Sequence, residues 1–147
     1  MTITKIFSEL DIEDLYQILR LRSEVFVVEQ DCVYQDLDNK DQNATHLYYK
    51  EKSEIVAYTR IFKAGDYYKN PCIGRVVVSK KNRGKDLGKK IMIDSIEYIK
   101  QNIKGKKIEL SAQKYLDKFY KDLGFYKIGE DYLEDGIPHQ RMLFDLV

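Results

Sequence analysis

Apolar and polar residues alternate from Thr2 to Phe7, and this period of two predicts a short strand. Ser8 stands where it can cap a following helix, with Asp11 three residues on in the position of the capping acid. Leu15, Ile18, Leu19, Leu21 and Arg22 then recur at helical spacing, and Val25 to Val28 either continues this helix or opens a second short one. Asp31 to Asn43 is polar and rich in Asp and Asn, which reads as a loop. Two β-like runs, His46 to Lys50 and Ile55 to Lys63, are parted by Glu51-Lys52-Ser53-Glu54 and form a hairpin. After a loop from Gly65 to Pro71, Cys72 to Val78 is a strand. Its Val76-Val77-Val78 run is apolar on both faces, so both faces are expected to be covered.

The clearest helical period runs from Arg83 to Asn102, with Leu87, Ile91, Met92, Ile96 and Ile99 on one face and Gly105 read as its stop. Lys107 to Ala112 is a strand and Tyr115 to Leu123 a short helix closed by Gly124. Phe125 to Ile128 and Gln140 to Leu146 are closing strands. Helices interleaved with strands in this order predict one α/β domain over residues 1–147 with a mixed sheet. No internal repeat, linker or low-complexity stretch interrupts it.

Composition narrows the function classes. With 44% apolar and 33% charged residues, the 147-residue chain is globular rather than disordered. A net charge of only +1 provides no field to draw it onto nucleic acid or an acidic membrane. No apolar run approaches the ~20 residues that span a bilayer, and MTITKIFSEL lacks the shape of a signal peptide. Cys32 and Cys72 have no CxxC spacing and read as free thiols, so a cytoplasmic protein is expected. Two distant histidines exclude a His-rich metal site. A calcium reading of Asp36 to Asp41 fails, because Lys40 takes the fifth position and Asp41 the place of the required glycine. No metal is expected.

The informative segment is Ile73 to Met92, IGRVVVSKKNRGKDLGKKIM. A strand runs into a turn holding Arg83, Gly84 and Gly88, and a long helix comes after it. Free N–H groups at a helix start, together with the helix dipole, favour a phosphate, and the two glycines let the backbone come close to it. Lys80, Lys81, Arg83, Lys85, Lys89 and Lys90 add positive charge. Neither the Walker spacing nor the dinucleotide fingerprint is present. The other reading of the segment is a solvated basic helix start.

Arg83-Gly84-Lys85-Asp86-Leu87-Gly88 resembles the R-x-x-G-x-[GA] coenzyme A pyrophosphate loop of GNAT acetyltransferases, with Asp86 where that family usually has glycine. Downstream, Gln113, Tyr120, Gly124 and Phe125 match at spacing the family's N-x-x-A-x-x-x-Y-x-x-x-G-F, with Gln113 for the usual Asn. The segments LRSEVFVVEQDCVYQDLDNKD, IGRVVVS and EDGIPHQRM together are similar to the ElaA-like branch of that superfamily.

The resemblance implies a GNAT-like mixed, twisted sheet of six to seven strands with helices on both faces. It implies acetyl-CoA held in a splay between Cys72–Ser79 and Lys107–Gln113, the pantetheine along Val76, Val77 and Val78. Arg83, Gly84, Lys85, Asp86, Leu87, Gly88 and Lys89 would meet the pyrophosphate, with Gln113 and Tyr120 also on the coenzyme. Tyr120 resembles the family's proton donor to the leaving thiolate; otherwise it is a core tyrosine. The base is open among Glu29, Asp36, Asp38, His139 and water. Arg60 and Arg75 either recognise a substrate carboxylate or pair internally with Asp36 or Asp38. Glu29, Asp38, Arg60, Arg75 and His139 are the candidate acceptor-side residues. The implied reaction is acetyl transfer to a primary amine on a small molecule or peptide, with a homodimer left open. The alternatives are a coenzyme A-binding regulatory module without turnover, and an acyltransferase like the acyl-homoserine-lactone synthases.

Overall fold

A computed structural model describes residues 2–147. Its seven strands are β1 (Thr2–Ile6), β2 (Thr45–Glu51), β3 (Glu54–Phe62), β4 (Cys72–Val78), β5 (Lys107–Gln113), β6 (Tyr126–Glu134) and β7 (Ile137–Asp145). They form one sheet in the order β1-β2-β3-β4-β5-β7-β6. All neighbours are antiparallel except β4 and β5. That mixed sheet is the one expected.

Helix α1 (Ile12–Arg22) covers one face and α2 (Leu87–Asn102) the other. Ile18 and Leu21 pack with Tyr48, Tyr58 and Val77 under α1. Ile91, Met92, Ile96 and Ile99 pack with Leu47, Ala57, Ile108 and Leu110 under α2. Val77 and the partly buried Val76 and Val78 thus serve both layers, which explains the run apolar on both faces.

Local chemistry moves several boundaries. Asp11, not Ser8, caps α1: its Oδ1 accepts from the Asp14 N–H at 2.8 Å, while Ser8 lies in a preceding 3-10 turn. The Val25–Val28 stretch belongs to a π-helical continuation, Ser23–Glu29, a form that often marks functional sites. The Lys52-Ser53 turn has φ of 50° and 70°, the left-handed pair of a tight hairpin. Helix α2 begins at Leu87 rather than Arg83, so Arg83 to Asp86 is turn. It ends at Asn102, before Gly105, whose added Cβ would meet Pro71 at 2.6 Å. Tyr115 to Leu123 divides into a 3-10 turn and α3 (Asp117–Asp122). The two closing strands are longer than their apolar cores suggested and meet at Asp135-Gly136, both with positive φ.

Two irregularities shape the centre. Beside β3, residues Arg75 and Val76 together oppose Thr59, since Tyr58 pairs with Val77 and Arg60 with Gly74. Arg75 takes φ +48° in this bulge. On the other side, β4 and β5 share a single paired position, Cys72 with Glu109, and then diverge. Backbone groups of Gly74 to Val78 therefore have no sheet partner on the β5 side, and they face a cleft of about 990 Å³.

Candidate active site

The cleft runs from the start of α2, past the β4–β5 splay, to the β6–β7 hairpin. At the α2 end it is lined by Val76, Val77, Val78, Arg83, Gly84, Asp86, Leu87, Gly88 and Lys89, with Gln113 and Tyr120 deeper in. Lys85 does not line it. Of the acceptor-side candidates, Asp38, Arg60, Arg75 and His139 line the cleft and Glu29 does not.

The turn before α2 leaves main-chain donors open. The first N–H with an intrahelical partner is that of Lys90, bonded to the Asp86 carbonyl at 3.0 Å, so the preceding N–H groups lack helical acceptors. Gly84 has φ +82°, a conformation that favours glycine. Asp86 has φ +60° and caps nothing with its side chain. Aspartate tolerates this left-handed turn better than most residues, which accounts for its standing where the family pattern has glycine. An added methyl at Gly88 would sit 3.6 Å from Phe119, ordinary contact, so the glycine-or-alanine tolerance of the pattern is physically reasonable.

Arg83 does not wait free. Its Nη1 and Nη2 donate to both Glu29 carboxylate oxygens at 2.5 and 2.9 Å, and its Nε to the Val78 carbonyl at 3.3 Å. The hydrogen bonds from Arg83 hold the Glu29 carboxyl below its usual range. Glu29 is thereby the partner of Arg83 and does not line the cleft.

Tyr120 is 6% exposed and lines the cleft, yet its hydroxyl has no protein hydrogen-bond partner among the described residues. Burial pushes its phenol above the ordinary range, so it is protonated throughout neutral pH. Phe119 and Phe125 pack edge-on against its ring at 5.0 and 5.8 Å.

Behind the acceptor side lies a charge cluster that the sequence shows only as scattered residues. Arg22, fully buried, donates from Nε to Asp36 at 3.0 Å and from Nη1 to Asp41 at 2.7 Å. Arg60 grips Asp38 with two bonds of 2.9 Å and reaches Asp41 at 2.9 Å. Arg75 donates from Nε to Asp36 at 2.8 Å, and Tyr34 donates to the same carboxylate oxygen at 2.7 Å. Three guanidinium groups therefore balance three carboxylates. The internal pairing of Arg60 and Arg75 is the arrangement observed, and their charge holds the Asp36–Asp41 loop over the sheet. Arg22 was missed as a member because its helical spacing resembles that of the apolar residues around it.

Burial works against the Asp38 charge, but hydrogen bonding and attraction from Arg60 outweigh it and hold the carboxyl at about 2. Asp41 is lowered in the same way, by Arg22 and Arg60. A lowered carboxyl gives stability above its unfolded value that is lost as pH falls toward the folded one. The melting temperature should therefore drop steeply between about pH 4 and pH 2. Asp38→Asn should melt lower at pH 7, because Arg60 loses its charged partner, and should lose less over the acid range. Equal acid slopes for the two proteins would refute this role for Asp38.

The remaining acceptor-side groups come from the β5-β7-β6 surface. His139 pairs in register with Gln113 on one side and Tyr132 on the other. The hairpin carrying it meets the opposite wall where Cys32 Sγ approaches the Asp135 carbonyl at 3.4 Å. Gln113 donates to Gln30 at 3.2 Å, a second contact across the cleft. Burial pushes the Cys72 thiol up to about 12, which leaves it a packing group. Among the described residues no cluster of His, Cys, Asp or Glu is arranged to hold a metal, and no helix is long and apolar enough to cross a membrane.

This architecture has known counterparts. The family described as acetyltransferase (GNAT) domain matches residues 8–146. ElaA of Escherichia coli K12 is 41% identical over 142 residues, covering 95% of this chain and 93% of ElaA. The crystal structure of E. coli ElaA superposes with a TM-score of 0.91 at 39% identity, over 99% of both chains. An acyl-CoA N-acyltransferase from Pseudomonas aeruginosa superposes with a TM-score of 0.89 at 35% identity, covering 98% of this chain and 99% of that one. An aminoglycoside 6'-N-acetyltransferase crystallised with coenzyme A shares the fold at a TM-score of 0.73 and 14% identity, over 99% and 97% of the two chains. The chain belongs to the GNAT acetyltransferase family, in its ElaA-like branch, and is an N-acetyltransferase of GNAT type.

Proposed function

We propose that this enzyme moves an acetyl group from acetyl-CoA to a primary amine on a small molecule or peptide, by direct attack of the neutral amine. The observation that carries this reading is the single-position pairing of β4 with β5. It leaves one strand edge unpaired and leads straight to the Arg83–Gly88 turn and the start of α2. The donor thioester supplies an activated carbonyl and a sulfur leaving group.

This chain's residues divide the remaining work. The unpaired edge of β4 offers main-chain groups to an extended amide-bearing arm, and its N–H groups can polarise a carbonyl. The first-turn N–H groups of α2, with Arg83 and Lys89, offer donors to a pyrophosphate. Tyr120 holds a proton in a buried site with no competing protein acceptor among the described residues, as a donor to a departing thiolate requires. Two buried free cysteines suit a reducing cytosol, which is where we place the enzyme.

A ligand that binds only the folded state raises its melting temperature by mass action, by about 2.7 kcal/mol of stability at a hundredfold excess over Kd. Acetyl-CoA at millimolar concentration should shift the melting temperature by several degrees, and an amine panel should release free thiol above the hydrolysis background. No shift at millimolar ligand would overturn the donor assignment.

A further inference from the structure

We infer that His139 is the general base of this acetyl transfer, held in its working tautomer by the Ile137 carbonyl and matched to Glu134 as the partner of its protonated form. The inference rests on the acetyl-transfer reading above.

His139 is 6% exposed and lines the cleft, so its ring is fixed without being sealed from it. Its Nδ1 lies 2.7 Å from the Ile137 carbonyl oxygen, two residues back on the same strand. A carbonyl only accepts, so Nδ1 carries the proton and the neutral ring leaves Nε2 with its lone pair. Nε2 is 3.5 Å from Glu134 Oε2. The second Glu134 oxygen accepts from Ser111 Oγ at 3.1 Å, and that hydroxyl also meets Tyr132 Oη. Tyr132 stacks on the imidazole with planes 25° apart. The imidazole is thus fixed by its stack and its carbonyl, and the carboxylate beside Nε2 is itself held in place.

This geometry suits a base that becomes charged as it works. An amine that reaches the cleft as an ammonium first gives one proton to solvent, because only the neutral form attacks. As the C–N bond forms and the C–S bond breaks, the second proton of that nitrogen passes to His139 Nε2, and the sulfur leaves with the electron pair and takes a proton from Tyr120. The imidazolium so formed gains Glu134 as an ion-pair partner. Other candidate bases are otherwise engaged: Glu29 with Arg83, Asp36 with Arg22 and Arg75, and Asp38 with Arg60. Glu134 and Tyr132 on β6 adjoin the ring, Asp135 at the hairpin tip lines the same cleft, and Arg141, two residues along β7, is paired with Glu109 on β5.

The test uses His139→Asn, whose amide N–H can keep the Ile137 bond while offering nothing at the Nε2 position, and Glu134→Gln. Nitrogen chemical shifts of the wild-type imidazole, without ligand, should show the neutral form protonated at Nδ1. His139→Asn should keep the melting temperature and acetyl-CoA Kd, lower kcat about 10²–10⁴-fold, and remove the low-pH limb of kcat/KM. Glu134→Gln, which takes away the charge beside Nε2, should lower kcat by a smaller factor and leave the acetyl-CoA Kd unchanged. A neutral ring protonated at Nε2, or an unchanged low-pH limb in His139→Asn, overturns the assignment. If His139→Asn unfolds, the tautomer and the kcat of Glu134→Gln decide the question. Turnover by the wild type and His139→Asn alike removes His139 alone. Wild-type protein that binds acetyl-CoA but transfers to no amine removes the acetyl-transfer reading, and this one with it.

Discussion

Replacing Gly84 by Glu is expected to abolish acetyl-CoA binding while leaving a folded protein. The fold should survive because a Cβ at Gly84 meets nothing within 4 Å; only its φ of +82° resists a side chain. That backbone cost is about 1–2 kcal/mol, which a domain of this size can tolerate. Binding is affected differently. A carboxylate beside a pyrophosphate faces charge repulsion of roughly 4 kcal/mol per pair at 4 Å near a protein surface, and 1.4 kcal/mol is already tenfold. The affinity should fall by at least about 10²-fold, and the acetyl-CoA melting shift should vanish. Gly84→Ala carries the backbone cost without the charge and should retain most of the shift. Asp86→Gly is the converse: it removes a carboxylate and a left-handed non-glycine residue from the same turn, and should bind equally or more tightly. A normal melting shift in Gly84→Glu would take the pyrophosphate away from this turn. Weaker binding by Asp86→Gly would give the aspartate a holding role of its own.

The parts of this molecule legible in the sequence are those where one local pattern meets one environment. The strand β4 could be read because Val76 to Val78 must satisfy two apolar layers, and the face of α2 because its core contacts repeat at 3.6 residues. The backbone geometry of the α2 turn was legible too, since Gly84 and the helix start lie within a few residues of each other. What stayed hidden was set by distant partners. Strand β6 is almost wholly exposed, so its outer half carries no alternation, and only pairing with β7 makes Asp131 to Glu134 a strand. The Arg75 bulge, which gives β4 its irregular edge, puts the positive φ on the arginine rather than on the neighbouring Gly74, where a sequence reader would look for it. The arginine–aspartate cluster joins residues 14 to 39 positions apart, and only the fold decides which carboxylate each arginine receives. Glu29 illustrates the limit: its charge suggested substrate contact, whereas the π-helical turn carries it to Arg83 instead.

Tyr120→Phe should slow turnover about 10²–10⁴-fold and leave acetyl-CoA affinity almost unchanged. The ring, with its contacts to Phe119 and Phe125, is kept, and only the hydroxyl is lost. That hydroxyl has no protein partner among the described residues, so its removal leaves no buried group unsatisfied. The melting temperature should hold or rise slightly, whereas deleting a bonded core hydroxyl would lower it. Because burial lifts the phenol above its ordinary range, any limb it sets is displaced to higher pH. The variant should therefore differ in kcat across the whole profile, not through loss of a high-pH limb. A group that acts on the leaving sulfur should also matter less when that sulfur leaves easily. Acyl donors bearing a more acidic thiol should narrow the gap between wild type and Tyr120→Phe. Unchanged kcat in a folded variant would return Tyr120 to the core. A gap that stays constant across donors of different thiol acidity would leave it shaping the site without delivering a proton.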